Sequence, residues 1–153
     1  MLAGARGKVH GPSQVLIRIP KFAALNFALG GYFRGGGLLQ DSDLELAILA
    51  TSQACEAKFI WTVHEPRALK VGVRSEAVDA ARLGARNALL EPREQTILNV
   101  ARSLVKDHKL DDSLYSRALQ IFGEQPLVEL VAIVGFYTLI AIVLGGFAVE
   151  PSS

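Results

Sequence analysis

A chain of 153 residues is about one domain long and can bury a substantial core. Half of its residues are apolar, a fifth are charged, and 16 basic against 15 acidic side chains leave a net charge of +1. No run of like charge supplies the electrostatic footprint of a nucleic-acid binder, and the lone cysteine, Cys55, excludes an internal disulfide. The histidines His10, His64 and His108 are scattered without zinc-ligand spacing, so no metal site is expected.

Taken in chain order, residues 1–12 read as a loosely ordered segment. Arg6, Lys8 and Arg18 are not followed by an apolar core, so no secretory signal is expected, and the default setting is reducing and cytoplasmic. The only short β-branched run, residues 15–19, is interrupted by Arg18. Beyond it the spacing is helical. Residues 19–33 place Phe22, Leu25, Leu29, Tyr32 and Phe33 near one stripe, and the glycines at 35, 36 and 37 end it. Those glycines follow no strand and lead to no lysine, which argues against a phosphate loop.

Asp41, Ser42 and Asp43 offer caps for a helix through Leu44, Ile48 and Leu49. Pro66 interrupts the next helical pattern and either begins or kinks a helix, which Gly72 closes. Ser75 and Glu76 open a short helix that ends near Gly84. Glu91, Pro92 and Glu94 open another, with Ile97, Leu98, Ala101 and Leu104 on its apolar face. Asp111 and Asp112 cap a helix through residues 114–122, stopped by Gly123, and Pro126 and Glu129 suit the first turn of a closing helix. The fold class is therefore all-α, in one domain over residues 1–153.

The apolar run at residues 130–149 is long enough to span a bilayer. Its flanks carry Glu129 and Glu150 and no nearby Lys or Arg, so the charge asymmetry that orients a span is missing. A helix apolar on every side equally suits burial inside an oligomer.

Two residues stand out chemically. His64 has the side chain whose ordinary pKa, about 6.5, suits proton transfer near neutrality, although a lone histidine is more often a satisfied core residue. Glu45 lies among Leu44, Leu46, Ala47, Ile48 and Leu49, where a carboxylate is costly unless it reaches water or a partner. Tyr137, a phenol inside a greasy helix, also needs a hydrogen-bond partner. Glu65, Arg67 and Lys70 read most simply as a solvated face, with Arg67 a weaker candidate for contacting a substrate carboxylate.

Glu45, followed by Trp61-Thr62-Val63-His64, resembles the carboxymuconolactone decarboxylase and alkylhydroperoxidase-D-like family. In its redox members a glutamate precedes Cys-x-x-Cys, and a histidine lies four residues beyond the second cysteine. Here the acid and the histidine are kept, while Ala57 and Ile60 stand at the cysteine positions. Residues 61–72 also resemble the W-x-x-H-E-x-x-A-x-x-x-G pattern of a non-redox branch. Residues 11–39 are similar to the family's leading helix and loop, and residues 135–147 to its closing helix. Two departures are Ile60, where that branch carries an acid, and Gly145, near its asparagine.

The resemblance implies an alkylhydroperoxidase-D-like homo-oligomer, in that family a trimer or a multiple of one and sometimes a dimer, with the closing helix buried and no membrane span. It implies a cofactor-free lyase of decarboxylase type acting on a small acidic or lactone-like molecule. His64 would be the acid–base, Glu45 its orienting partner and Tyr137 a hydrogen-bond donor, with Ala57, Ile60 and Trp61 lining the pocket. Two alternatives stay open. One is a catalytically silent helical oligomer that binds a ligand or partner, favoured by Ile60 in place of an acid. The other is one-cysteine peroxide reduction through Cys55. On one continuous helix, at about 100° per residue, Ala57 and Ile60 would share His64's face and Cys55 would lie opposite.

Overall fold

The computed structural model describes residues 10–84 and 89–151, and all regular structure there is helical. Most of the N-terminal segment expected to be loosely ordered, and part of the loop after Gly84, lie outside the described residues. The helices are α1 (Ser13–Leu16), α2 (Pro20–Gly35), α3 (Asp41–Ala54), α4 (Lys58–Lys70), α5 (Ser75–Leu83), α6 (Pro92–Asp107), α7 (Asp112–Phe122) and α8 (Glu124–Gly146).

The centre of the molecule is α3, against which α4, α5, α6 and α8 all pack. Ten consecutive residues, 43–52, are buried along it. A helix covered on every side shows no apolar stripe, which is why Glu45 sits in an unbroken greasy run.

Caps explain several boundaries. Glu91 and Glu94 form a reciprocal capping box at the start of α6, behind Pro92. The Asp111 carboxylate accepts the Leu114 amide at 2.8 Å to open α7, as expected. Gly84 ends α5 in the left-handed conformation, with φ 67°.

The acids at the start of α3 behave differently. Helix α3 begins at Asp41 itself, behind an uncapped Gln40. Asp43 is buried and receives Arg93 on both oxygens, with Nη2–Oδ2 at 2.7 Å and Nε–Oδ1 at 3.1 Å. Arg93 also stacks over the Phe122 ring at 4.4 Å, so one guanidinium ties α3, α6 and the end of α7 together. Pro66 neither starts nor ends a helix; it lies inside α4.

On α2 the outcome is a correction. Phe22, Leu25, Leu29 and Tyr32 are exposed, and the buried face is Ala23, Asn26, Gly30 and Phe33. The inward face is rotated by one residue, about 100°, from the apolar stripe. Apart from Phe33, which is buried as expected, the small and polar residues face the body of the protein and the large apolar ones face out.

Helix α8 begins at Glu124 and stops at Gly146, so the last residues of the apolar run are not helical. It is long and apolar enough to cross a membrane, yet 56% of its apolar window is buried inside the fold, against α3, α6 and α7, as in a core helix. Glu129 lies in its second turn rather than its first. Its Oε2 accepts the amides of Leu38 and Leu39 at 2.5 and 3.1 Å, fastening the loop after α2 to α8. This close approach requires Gly37, where an added Cβ would stand 2.3 Å from Glu129 Oε1. Gly37→Ala is therefore expected to destabilise by about 1–3 kcal/mol. Gly35→Ala, with nothing within 4 Å, should be neutral or slightly stabilising in thermal denaturation. Equal melting shifts for the two would contradict this account of the loop.

Candidate active site

Three helices bring Glu45, His64 and Tyr137 together. Glu45 on α3 and His64 on α4 are both buried, at 6% exposure each, and His64 Nδ1 lies 2.7 Å from Glu45 Oε2. An ionised Glu45 accepts the Nδ1 proton, so the partner that a buried carboxylate demands is the imidazole. On its other side Glu45 borders a surface depression with Arg34, Asp41, Arg67 and Lys70. Arg67 thus stands behind the pair and does not line the cavity that His64 faces.

That cavity holds about 180 Å³ and is lined chiefly by Phe27, Phe59, Ile60, Val63, Phe136, Ile140 and Leu144. Polar groups reach it from His64, Tyr137, Asn26 and Arg34. With Nδ1 engaged by Glu45, Nε2 is the ring nitrogen left for a ligand.

Tyr137 comes from α8 and is buried. Its ring meets His64 edge to face, with centroids 5.2 Å apart, while its hydroxyl lies by the Arg34 guanidinium. Burial pushes the phenol pKa up, Arg34 pulls it down and the Glu45 charge raises it further; the net direction is upward. The phenol is therefore a hydrogen-bond donor across the neutral range.

Of the residues expected to line the pocket, Ile60 does so, and Ala57 and Trp61 do not. They border a separate depression with Gln53, Lys58 and Arg82. The Trp61 indole N–H donates to Glu65 Oε2 at 2.8 Å, and Arg82 lies over the ring at 4.8 Å while also pairing with Glu65. Glu65 is thus engaged rather than freely solvated. The physical reason lies in the connection before α4. Helix α3 stops at Ala54, Glu56 turns the chain with φ 53°, and α4 begins only at Lys58. The segment is not one helix, so Ala57 is out of phase with His64.

The same break removes the helical-wheel argument about Cys55, which sits in the turn. It is half-buried, its Sγ is 3.9 Å from Thr138 Oγ1, and it borders a third depression rather than the His64 cavity. Burial raises its thiol pKa, an effect larger than the opposing Thr138 contact. Alkylation by iodoacetamide near pH 7 should accordingly be slower than that of a small free thiol and should accelerate at higher pH. A thiol reacting faster than the small-molecule reference would contradict this. Among the described residues, no group of three or more His, Cys, Asp or Glu side chains is placed to hold a metal ion.

Sequence reasoning missed Asn26 and Arg34. Their signal is the spacing 26, 30, 34 along one helix face with glycine in the middle, masked by the louder apolar stripe beside it.

The all-helical arrangement is that of the alkylhydroperoxidase-D-like fold. A crystal structure of a protein of unknown function from Agrobacterium tumefaciens, provisionally named the antioxidant defence protein AhpD, superposes with a TM-score of 0.81. The match covers 90% of this chain and 95% of that one at 15% identity, which establishes the fold alone. The carboxymuconolactone decarboxylase family model matches residues 20–103, which include Glu45, His64, Asn26 and Arg34, and the chain belongs to that family. Membership relates it in general terms to decarboxylases and to peroxidase-type proteins. No curated protein matches it significantly in sequence.

Proposed function

We propose that the protein is a cofactor-free lyase or isomerase of decarboxylase type, acting on a small acidic or lactone-like molecule by proton transfer through His64. The observation that carries this reading is the buried Glu45–His64 hydrogen bond beside a largely apolar cavity. Glu45 holds the ring with Nδ1 protonated and stabilises the imidazolium, leaving Nε2 to remove a proton from, or return one to, a substrate carbon. Departure of a carboxylate as carbon dioxide, or removal of a proton α to a lactone carbonyl, leaves negative charge on an enolate oxygen, and the Tyr137 hydroxyl is a donor available to it until His64 returns a proton to carbon. Apolar walls strengthen each of these interactions by excluding water.

The test is a panel of lactones and β-keto acids, assayed for turnover by the wild type and by His64 variants. Turnover of none of the panel would favour a silent binding scaffold. Peroxide reduction through Cys55 is disfavoured by its distance from the cavity and its raised pKa. Dithiol-dependent peroxide consumption that disappears in Cys55→Ser would reverse that judgement.

We further propose a cytoplasmic homo-oligomer, a trimer or a multiple of one; the exposed residues Leu25, Leu29 and Tyr32 on α2 and Val128 and Ile142 on α8 support association alone. Sedimentation without detergent should show an assembly. A well-behaved monomer, or recovery only with membranes, would overturn this part of the proposal.

A further inference from the structure

We propose that the α2 stripe Asn26–Gly30–Arg34 is the specificity element of the cavity, holding a substrate carboxylate at the hydroxyl end of Tyr137, apart from the His64 ring. The inference deepens the reading under Proposed function and rests on it for the reaction, but not for the binding.

Residues four apart on a helix share a face, so these three form one line along α2. Arg34 and Asn26 both border the cavity. Arg34 forms no ion pair among the described residues, although three other arginines do so. Its neighbour in the site is the Tyr137 phenol, which is uncharged at neutral pH. Among the described residues no carboxylate lines the cavity, and Glu45, which shares a depression with Arg34 on the far side, is already engaged by His64. A guanidinium is a planar fork matched to a carboxylate and retains its charge at every physiological pH.

Asn26 supplies an independent sign. It is 8% exposed, and its side-chain amide makes no hydrogen bond within the described protein although it borders the cavity. Its amide is not sealed off but open to the cavity, where a ligand oxygen can take the hydrogen bond that no described protein group supplies. Gly30 makes the arrangement sterically possible. A Cβ there would lie 3.3 Å from Arg34 Nη2 and 3.4 Å from Phe136 Cζ, so the missing side chain lets the guanidinium fold back along α2. The remaining lining is mostly apolar. Cavities of about 150 Å³ with apolar walls accept a benzene-sized guest, so the ligand class is a compact carboxylate with one ring or a short chain. The anchored carboxylate lies by Tyr137 and Arg34, so the group that reacts at His64 is a different one.

The experiment is calorimetric titration of the protein with benzoate and with benzamide, which share shape and differ in charge. Wild type should prefer benzoate by about tenfold or more, the scale of one charge-assisted contact. Arg34→Gln should abolish the preference, and Gly30→Ala, which crowds the guanidinium without removing it, should reduce it. Arg67→Gln makes the same change in net charge behind Glu45 and should keep the preference within about twofold. No benzoate preference in wild type, retention of it in Arg34→Gln, or equal losses in the two arginine variants would overturn the proposal. Because binding is read without turnover, the two readings separate. His64-dependent turnover with an unchanged KM in Arg34→Gln would reject the anion subsite alone. An intact carboxylate preference together with His64-independent turnover would reject the acid–base reading alone.

Discussion

Replacing His64 with alanine is expected to lower turnover of any substrate found in the lactone and keto-acid panel by about 10²–10⁴-fold, the usual contribution of a positioned general base. Circular dichroism should show an unchanged helical fold. The expectation rests on the 2.7 Å contact with Glu45, which leaves Nε2 as the nitrogen available at the cavity. Glu45→Gln should lose less. Its amide oxygen can still accept the Nδ1 proton and orient the ring, but it no longer stabilises an imidazolium. An equal loss would assign the transferred proton to Glu45 itself, and a wild-type rate in His64→Ala would reject the mechanism.

The second large effect concerns stability and should be asymmetric. The Asp43 side chain is 8% exposed, whereas its partner Arg93 is 39% exposed. Arg93→Gln strands a buried carboxylate at the start of α3, and a cost of about 2–4 kcal/mol is expected, somewhat below that of breaking a fully buried pair. Asp43→Asn leaves a guanidinium that can turn to water and keep its stacking on Phe122, so its cost should be about 1–2 kcal/mol. Chemical denaturation compares the two. Equal losses, or a larger loss for Asp43→Asn, would show that the pair is not the anchor described.

Where local chemistry determined an element, the sequence was readable. Asp111, Gly84 and the Glu91–Glu94 box act within a few residues of themselves, and their helix ends fall at the expected places. The acid and histidine were legible because a family pattern marks them, even though 19 residues separate them. Ala57 was misplaced because the turn at Cys55 to Ala57, with Glu56 at positive φ, carries no glycine or proline to announce it, and Trp61, on α4 itself, is drawn off the cavity by Glu65 and Arg82.

The composition and periodicity of this chain determined by themselves that it is helical, that it is one domain's length without disulfides, and that Glu45 needed a partner. Tertiary structure alone decided which face of α2 turns inward, because apolar residues on its other side make the stronger sequence signal yet remain exposed. It also decided that Asp43 serves Arg93 rather than its own helix end, and that Glu129 holds the loop at Leu38 and Leu39. These choices depend on which groups meet across 50 to 91 positions of sequence. Such partners are selected by the desolvation of buried charge, a cost that arises only when the helices pack.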